Sequence, residues 1–260
     1  TRITIPDAMV CLWLTLALFC YWLAEQTNEP QIRVPHLSDG SIVAKVGIRE
    51  ANRTPLPLDE SQPNPILCYA FAACCALNVL TKGLIGIVFP LAIVVAHLLL
   101  TRRTLRGAVT RLWQLRPISS AIVFLIIAAP WHILIALANP THGHPGALTF
   151  AHGHWSVPLP TDGNVHGWLW FYFVNEQLLR YLNLRVPRDY DTVPLALFWG
   201  LLLIWLMPWS AFLFKALARV PWRKALRPRI SLRTLTDIES TRLLLGLWAA
   251  IPLLFFSFST

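Results

Sequence analysis

Four ionisable side chains, Asp7, Lys82, Glu176 and Arg180, have types and surroundings suited to chemistry. Lys82 is the lone charge in an apolar run from Pro65 to Leu100. A charge set against lipid either snorkels to water or serves a function. Arg180 follows Glu176 by four residues, a spacing at which helical side chains meet. Asp7 follows Pro6 at the mouth of another apolar run. A lysine and an arginine at a membrane face suit a lipid-borne phosphate, because arginine clamps phosphate bidentately and lysine adds a point charge. If that phosphate leaves in a displacement, fixed cations in a dry site neutralise the charge that develops. Plainer roles are open to each residue. Asp7 could be a first-turn residue favoured by the helix dipole, Lys82 a snorkelling anchor, and Glu176 with Arg180 an ordinary helix pair.

Histidines form a second cluster. His142-Gly143-His144 and His152-Gly153-His154 could offer imidazoles to a metal, although a solvated polar loop explains them as well. His97 and His132 lie in or near apolar runs and are expected to be packed or interfacial. The five cysteines (Cys11, Cys20, Cys68, Cys74, Cys75) all fall in apolar segments without a CxxC spacing. That argues against a disulfide framework or a thiolate zinc site.

The elements that must position these residues are membrane helices. The chain is 55% hydrophobic and 13% charged, against about 25% charged in a soluble domain. The run from Pro65 to Leu100 would measure roughly 54 Å as one helix, nearly twice the hydrocarbon core. It is therefore expected to be two spans turning at Thr81-Lys82-Gly83. The expected fold is all-α, a multi-pass transmembrane bundle of about six spans, at about 8–24, 65–81, 83–100, 118–138, 195–213 and 242–258.

The net charge of +9 calls for no nucleic acid, since the basic residues gather between spans. The 101–117 loop has Arg102, Arg103, Arg106, Arg111 and Arg116 and no acid. The 214–241 loop has seven basic residues against Asp237 and Glu239. Both are expected in the cytoplasm, which six alternating spans allow. Asp7, Lys82 and the 139–194 segment then lie outside. The 25–64 segment reads as a flexible cytoplasmic insertion, so its Asn52-Arg53-Thr54 sequon would carry no glycan. The 139–194 segment begins loop-like and from Gly167 becomes an aromatic stretch expected as an external helix lying in the membrane interface. The chain opens on Thr1 and is expected to be an internal piece of a longer protein.

Several short elements occur in order along the chain. They are Ile5-Pro6-Asp7, Leu80-Thr81-Lys82-Gly83, Ala129-Pro130-Trp131, Asn139-Pro140, Tyr172-Phe173, Glu176 to Tyr181, Pro208-Trp209 and Pro252 to Ser257. As a set they resemble the polyprenyl-phosphate-dependent glycosyltransferases of the GT-C class, nearest to glycosyltransferase family 39. That family holds protein O-mannosyltransferases and the bacterial aminoarabinose transferase acting on lipid A.

The resemblance implies an inverting transferase in a bacterial inner membrane, with its site on the periplasmic side. It would move a sugar from a polyprenyl phosphate such as undecaprenyl phosphate to a lipid, glycan or protein acceptor. It implies Arg180 and Lys82 for the lipid phosphate and a catalytic-site role for Asp7 and Glu176. Some relatives use a divalent cation. The histidine of the family's Glu-His-x-x-Arg element is Gln177 here. The family's acidic first external loop, source of the acceptor-activating carboxylate, has no match, so this piece alone is expected to be inactive. The rival reading is a transporter or flippase of a lipid-linked or anionic substrate. Transporters place ionisable groups near the bilayer midplane and often show repeats, and neither is visible here.

Overall fold

The computed structural model describes residues 4–26, 62–102, 104–157, 163–187, 194–226 and 235–258. The expected insertion falls mostly outside them, with its Asn52 sequon. Glu25, assigned to that insertion by sequence, instead belongs to the last turn of the first helix, α1 (Thr4–Gln26).

Helix α2 (Pro65–Lys82) starts where Asn64 accepts a hydrogen bond from the Ile66 amide at 2.9 Å and Pro65 supplies a preset first turn. It ends at Gly83. Helix α3 (Ile85–Thr101) runs back against it. The two approach so closely that a Cβ on Gly86 would lie 2.6 Å from the Asn78 carbonyl carbon and the Val79 nitrogen. A short amphipathic helix, α4 (Leu105–Gln114), follows, capped by the Thr104 hydroxyl on the Gly107 amide at 3.0 Å. Helix α5 (Pro117–Ala138) then crosses alongside α2.

Next comes a two-stranded hairpin, β1 (Thr149–Ala151) and β2 (His154–Ser156), with Phe150 opposite Trp155. It is a small exception among described elements that are otherwise helical, as the all-α expectation has it. Its turn residues, His152 and Gly153, both have positive φ, the requirement of a tight two-residue hairpin turn. Helix α6 (Gly163–Leu169), kinked at Gly167, leads into a π-helical segment, Trp170–Leu179.

Helices α7 (Leu195–Trp205) and α8 (Ser210–Ala218) follow, with a short α9 (Trp222–Ala225). Helix α10 (Asp237–Ser257) opens on a capping box formed by Thr236 and Glu239.

The core joins α1, α3, α4 and α10 through Leu14, Leu18, Ile93, Leu98, Ala108 and Leu243, with Ile93 and Leu243 fully buried. Among the described residues four helices are long and apolar enough to cross a membrane: α1, α2, α5 and α10. Helix α3, at 17 residues, is about 26 Å long, slightly short of the core. The 195–213 stretch, expected as one span, is two helices bent by 103° around Leu206-Met207-Pro208-Trp209, a broken span or a re-entrant loop, and the first is about 16 Å long. Pro208 has no N–H to continue the helical ladder.

The helices alternate in direction. Asp7, Lys82 and Phe255 gather at one end of the bundle, while Glu25, Arg102, Arg111 and Ser240 gather at the other.

Candidate functional site

Lys82 ends α2 and pairs with Asp7 in the first turn of α1. Both side chains stay about half exposed, at 44% and 52%. The antiparallel packing of α1 on α2 is what brings these residues together from 75 positions apart.

The turn beside them is tightly built. Gly83 has φ +105°, and its amide donates to the Val79 carbonyl at 2.9 Å. A Cβ there would fall 2.5 Å from Gln177 Nε2 and 3.1 Å from the Tyr172 hydroxyl oxygen. The π-helical segment therefore rests directly on the turn that carries Lys82. Tyr172 also donates to the Val79 carbonyl at 3.4 Å, and burial pushes its hydroxyl pKa up, so it stays a donor.

The sequence stretch expected as an interfacial helix is helical but wound more widely. The Arg180 amide reaches the Asn175 carbonyl, the i to i+5 bond of a π-helix. Aromatic packing holds it on both flanks. His132 of α5 packs against Trp168, Tyr172 and Phe173, with ring centroids 5.5–6.1 Å apart. Tyr181 lies 4.6 Å from Phe255 of α10, which in turn meets Phe89 of α3 at 5.2 Å.

Asn175 is wholly buried. Its amide nitrogen donates to the Val186 carbonyl at 2.7 Å, and its oxygen accepts from the Val186 amide at 3.2 Å. This clamp folds the following loop back along the helix and delivers Arg185 to Glu176. Arg185 Nε donates to Glu176 Oε1 at 2.6 Å, and Arg180 Nη1 donates to Oε2 at 3.3 Å. Sequence spacing indicated Arg180 but missed Arg185, nine residues from its partner and brought in by a loop. Arg180 keeps 54% of its side chain exposed and Arg185 only 12%.

The structure thus joins Asp7 to Lys82 and Glu176 to Arg180, with Gln177 bridging toward Gly83. The histidines go elsewhere. His142 and His144 sit on an exposed loop, and His152 and His154 on the exposed hairpin. Among the described residues no three histidine, cysteine or acidic side chains come together to hold a metal.

A second polar network occupies the opposite end. Glu25 accepts from Arg111 Nε at 2.9 Å and from Arg102 Nη2 at 3.0 Å. Tyr21 is hydrogen-bonded with His97 Nδ1 at 2.8 Å, and His97 Nε2 with the Ser240 hydroxyl at 3.1 Å. His97 is packed, as expected, but as a link between α1 and α10.

The chain is similar to two curated arabinosyl transferases. The undecaprenyl phosphate-alpha-4-amino-4-deoxy-L-arabinose arabinosyl transferase of Aeromonas salmonicida is 26% identical over 141 residues. The protein of the same description from Aeromonas hydrophila is 25% identical over 141 residues. The matched stretch is 54% of this chain and 19% of each relative. The chain therefore matches about a fifth of the length of these relatives. No family model matches the chain, and no solved structure is significantly similar to it.

Proposed function

We propose that this chain serves glycosyl transfer in a membrane, from a polyprenyl-phosphate-linked sugar to an acceptor on the face where Lys82 lies. The similarity to undecaprenyl-phosphate arabinosyl transferases carries this reading. Lys82 at the turn and Arg180 at the end of the helical segment that packs on Gly83 support it, and so does the resemblance of the ordered motifs to GT-C enzymes of glycosyltransferase family 39.

In the proposed step, the acceptor oxygen bonds to the anomeric carbon as the carbon–oxygen bond to phosphate breaks. The phosphate leaves with the electron pair as the free polyprenyl phosphate, and the acceptor proton passes to a carboxylate. Lys82 and Arg180, each with about half of its side chain exposed, face the leaving phosphate and stabilise its growing charge. Asp7 and Glu176 are each engaged by a cation, which suits positioning better than proton transfer. The proton acceptor is then a carboxylate of the acidic first loop that the family resemblance implies. Gln177 takes the place of the family's histidine and packs against Gly83.

The transporter reading gains little. The break between α7 and α8 is the broken-helix feature such proteins use, but Leu206-Met207-Pro208-Trp209 carries no ionisable group.

The test is binding of undecaprenyl phosphate to the complete protein, together with turnover of an undecaprenyl-phosphate-linked aminoarabinose donor. Lys82→Ala and Arg180→Ala are each expected to weaken binding about tenfold, the scale of one lost charge-assisted contact of about 1.4 kcal/mol. Unchanged binding and turnover in Arg180→Ala would refute the site assignment.

A further inference from the structure

An apolar cavity of about 240 Å³ lies between α1, α2, α3, α4 and α5, running from Leu115 and Pro117 at the end away from Lys82 to Ile87 near the start of α3. Its lining runs along α2 from Leu67 to Cys75, about 12 Å of helix, and includes Val94, Leu112 and Phe124. Leu115 and Pro117 close one end of it, and Arg116 stands between them with an exposed side chain. That side chain interacts with Tyr69.

Above the cavity lies α4. Its Leu105, Val109 and Trp113 follow one another at i, i+4 and i+8 and are exposed at 57%, 45% and 59%. This apolar stripe borders the exposed Arg106, and the opposite side of the helix buries Ala108 and Arg111. A short helix joining two apolar helices, with one side packed and a neighbouring side greasy and then basic, suits the headgroup layer. The 101–117 segment has five arginines and no acid, so its charge complements an anionic headgroup.

We propose that this end of the bundle binds an anionic phospholipid. One acyl chain lies in the cavity against α2 and α5, and the headgroup phosphate sits on Arg116, while Arg106, about 15 Å away at the start of α4, adds positive charge along the same headgroup layer. Arginine suits that role because its planar fork takes phosphate oxygens in pairs. Arg102 and Arg111, held by Glu25, fix α4 over the cavity rather than reaching for the lipid. This site is separate from the candidate transfer site.

The test is native mass spectrometry of the complete protein in detergent, supplied with dioleoyl phosphatidylglycerol or with dioleoyl phosphatidylcholine. The phosphatidylglycerol adduct is expected to survive in the wild type and the phosphatidylcholine adduct to be lost. Arg106→Gln with Arg116→Gln should lower the phosphatidylglycerol-bound fraction at least fivefold, whereas Arg219→Gln, an exposed arginine at the end of α8, should leave it unchanged. Ala121→Phe, which places a ring in the cavity, should also lower it. Equal retention of both lipids would overturn the proposal. So would a loss no larger in the double arginine variant than in Arg219→Gln, or full retention in a folded Ala121→Phe protein.

Discussion

Glu176 accepts from Arg185 at 2.6 Å in a largely buried setting and from Arg180 at 3.3 Å at an exposed one. Removing one partner of a buried ion pair leaves the other charge stranded and costs about 3 kcal/mol or more, whereas an exposed pair contributes below about 1 kcal/mol. Arg185→Ala is therefore expected to destabilise the protein by about 3 kcal/mol and Arg180→Ala by less than about 1 kcal/mol, as measured by denaturant unfolding in micelles. Equal losses would show that the two arginines are structurally equivalent. On the proposed reading the order reverses for donor binding, because Arg180 is proposed to meet the donor phosphate whereas Arg185 holds Glu176. At this scale the sequence was half legible. A four-residue helical spacing marks Arg180, and topology places Asp7 on the side of Lys82. Nothing in local spacing marks Arg185, because its position depends on the Asn175 clamp on Val186.

Helices α2 and α3 pack tightly at Gly86, where a Cβ would strike backbone rather than a movable side chain. Gly86→Leu is expected to force the two helices apart and to lower stability by about 2–3 kcal/mol. Gly200→Leu in α7, where a Cβ would meet nothing within 4 Å, provides the contrast and should unfold like the wild type. A thermal unfolding comparison of the two variants decides it, and similar midpoints would mean the close approach is not needed. Helix existence was largely legible here because long apolar runs leave few alternatives. Bend and winding were not. The 195–213 run reads as continuous until Pro208 is weighed as a break, and π winding of Trp170–Leu179 goes with packing against Gly83 and His132, which residue type does not reveal. The hairpin left a signal in His152-Gly153 between Phe150 and Trp155, which composition alone had assigned to loop.

Across the whole molecule, two ends of unlike character face each other along the helices. One carries Asp7, Lys82 and the Glu176 cluster, and the other carries Glu25 with the arginines of the 101–117 segment. The positive-inside rule supports the proposal that the arginine-rich end faces the cytoplasm. In a cysteine-free background, Thr149→Cys is expected to react with an impermeant maleimide added to intact cells. Thr110→Cys should react only after the membrane is opened. Labelling of both from one side would break the proposed orientation.

The bed that Gly83 makes for Gln177 and Tyr172 also fixes how this stretch can vary by descent. One residue inserted between Val79 and Lys82 would swing the lysine by about 100° around α2 and carry it away from Asp7. The Leu80-Thr81-Lys82-Gly83 stretch should therefore accept neither insertion nor deletion, while the exposed 142–157 segment can change length without disturbing either partner.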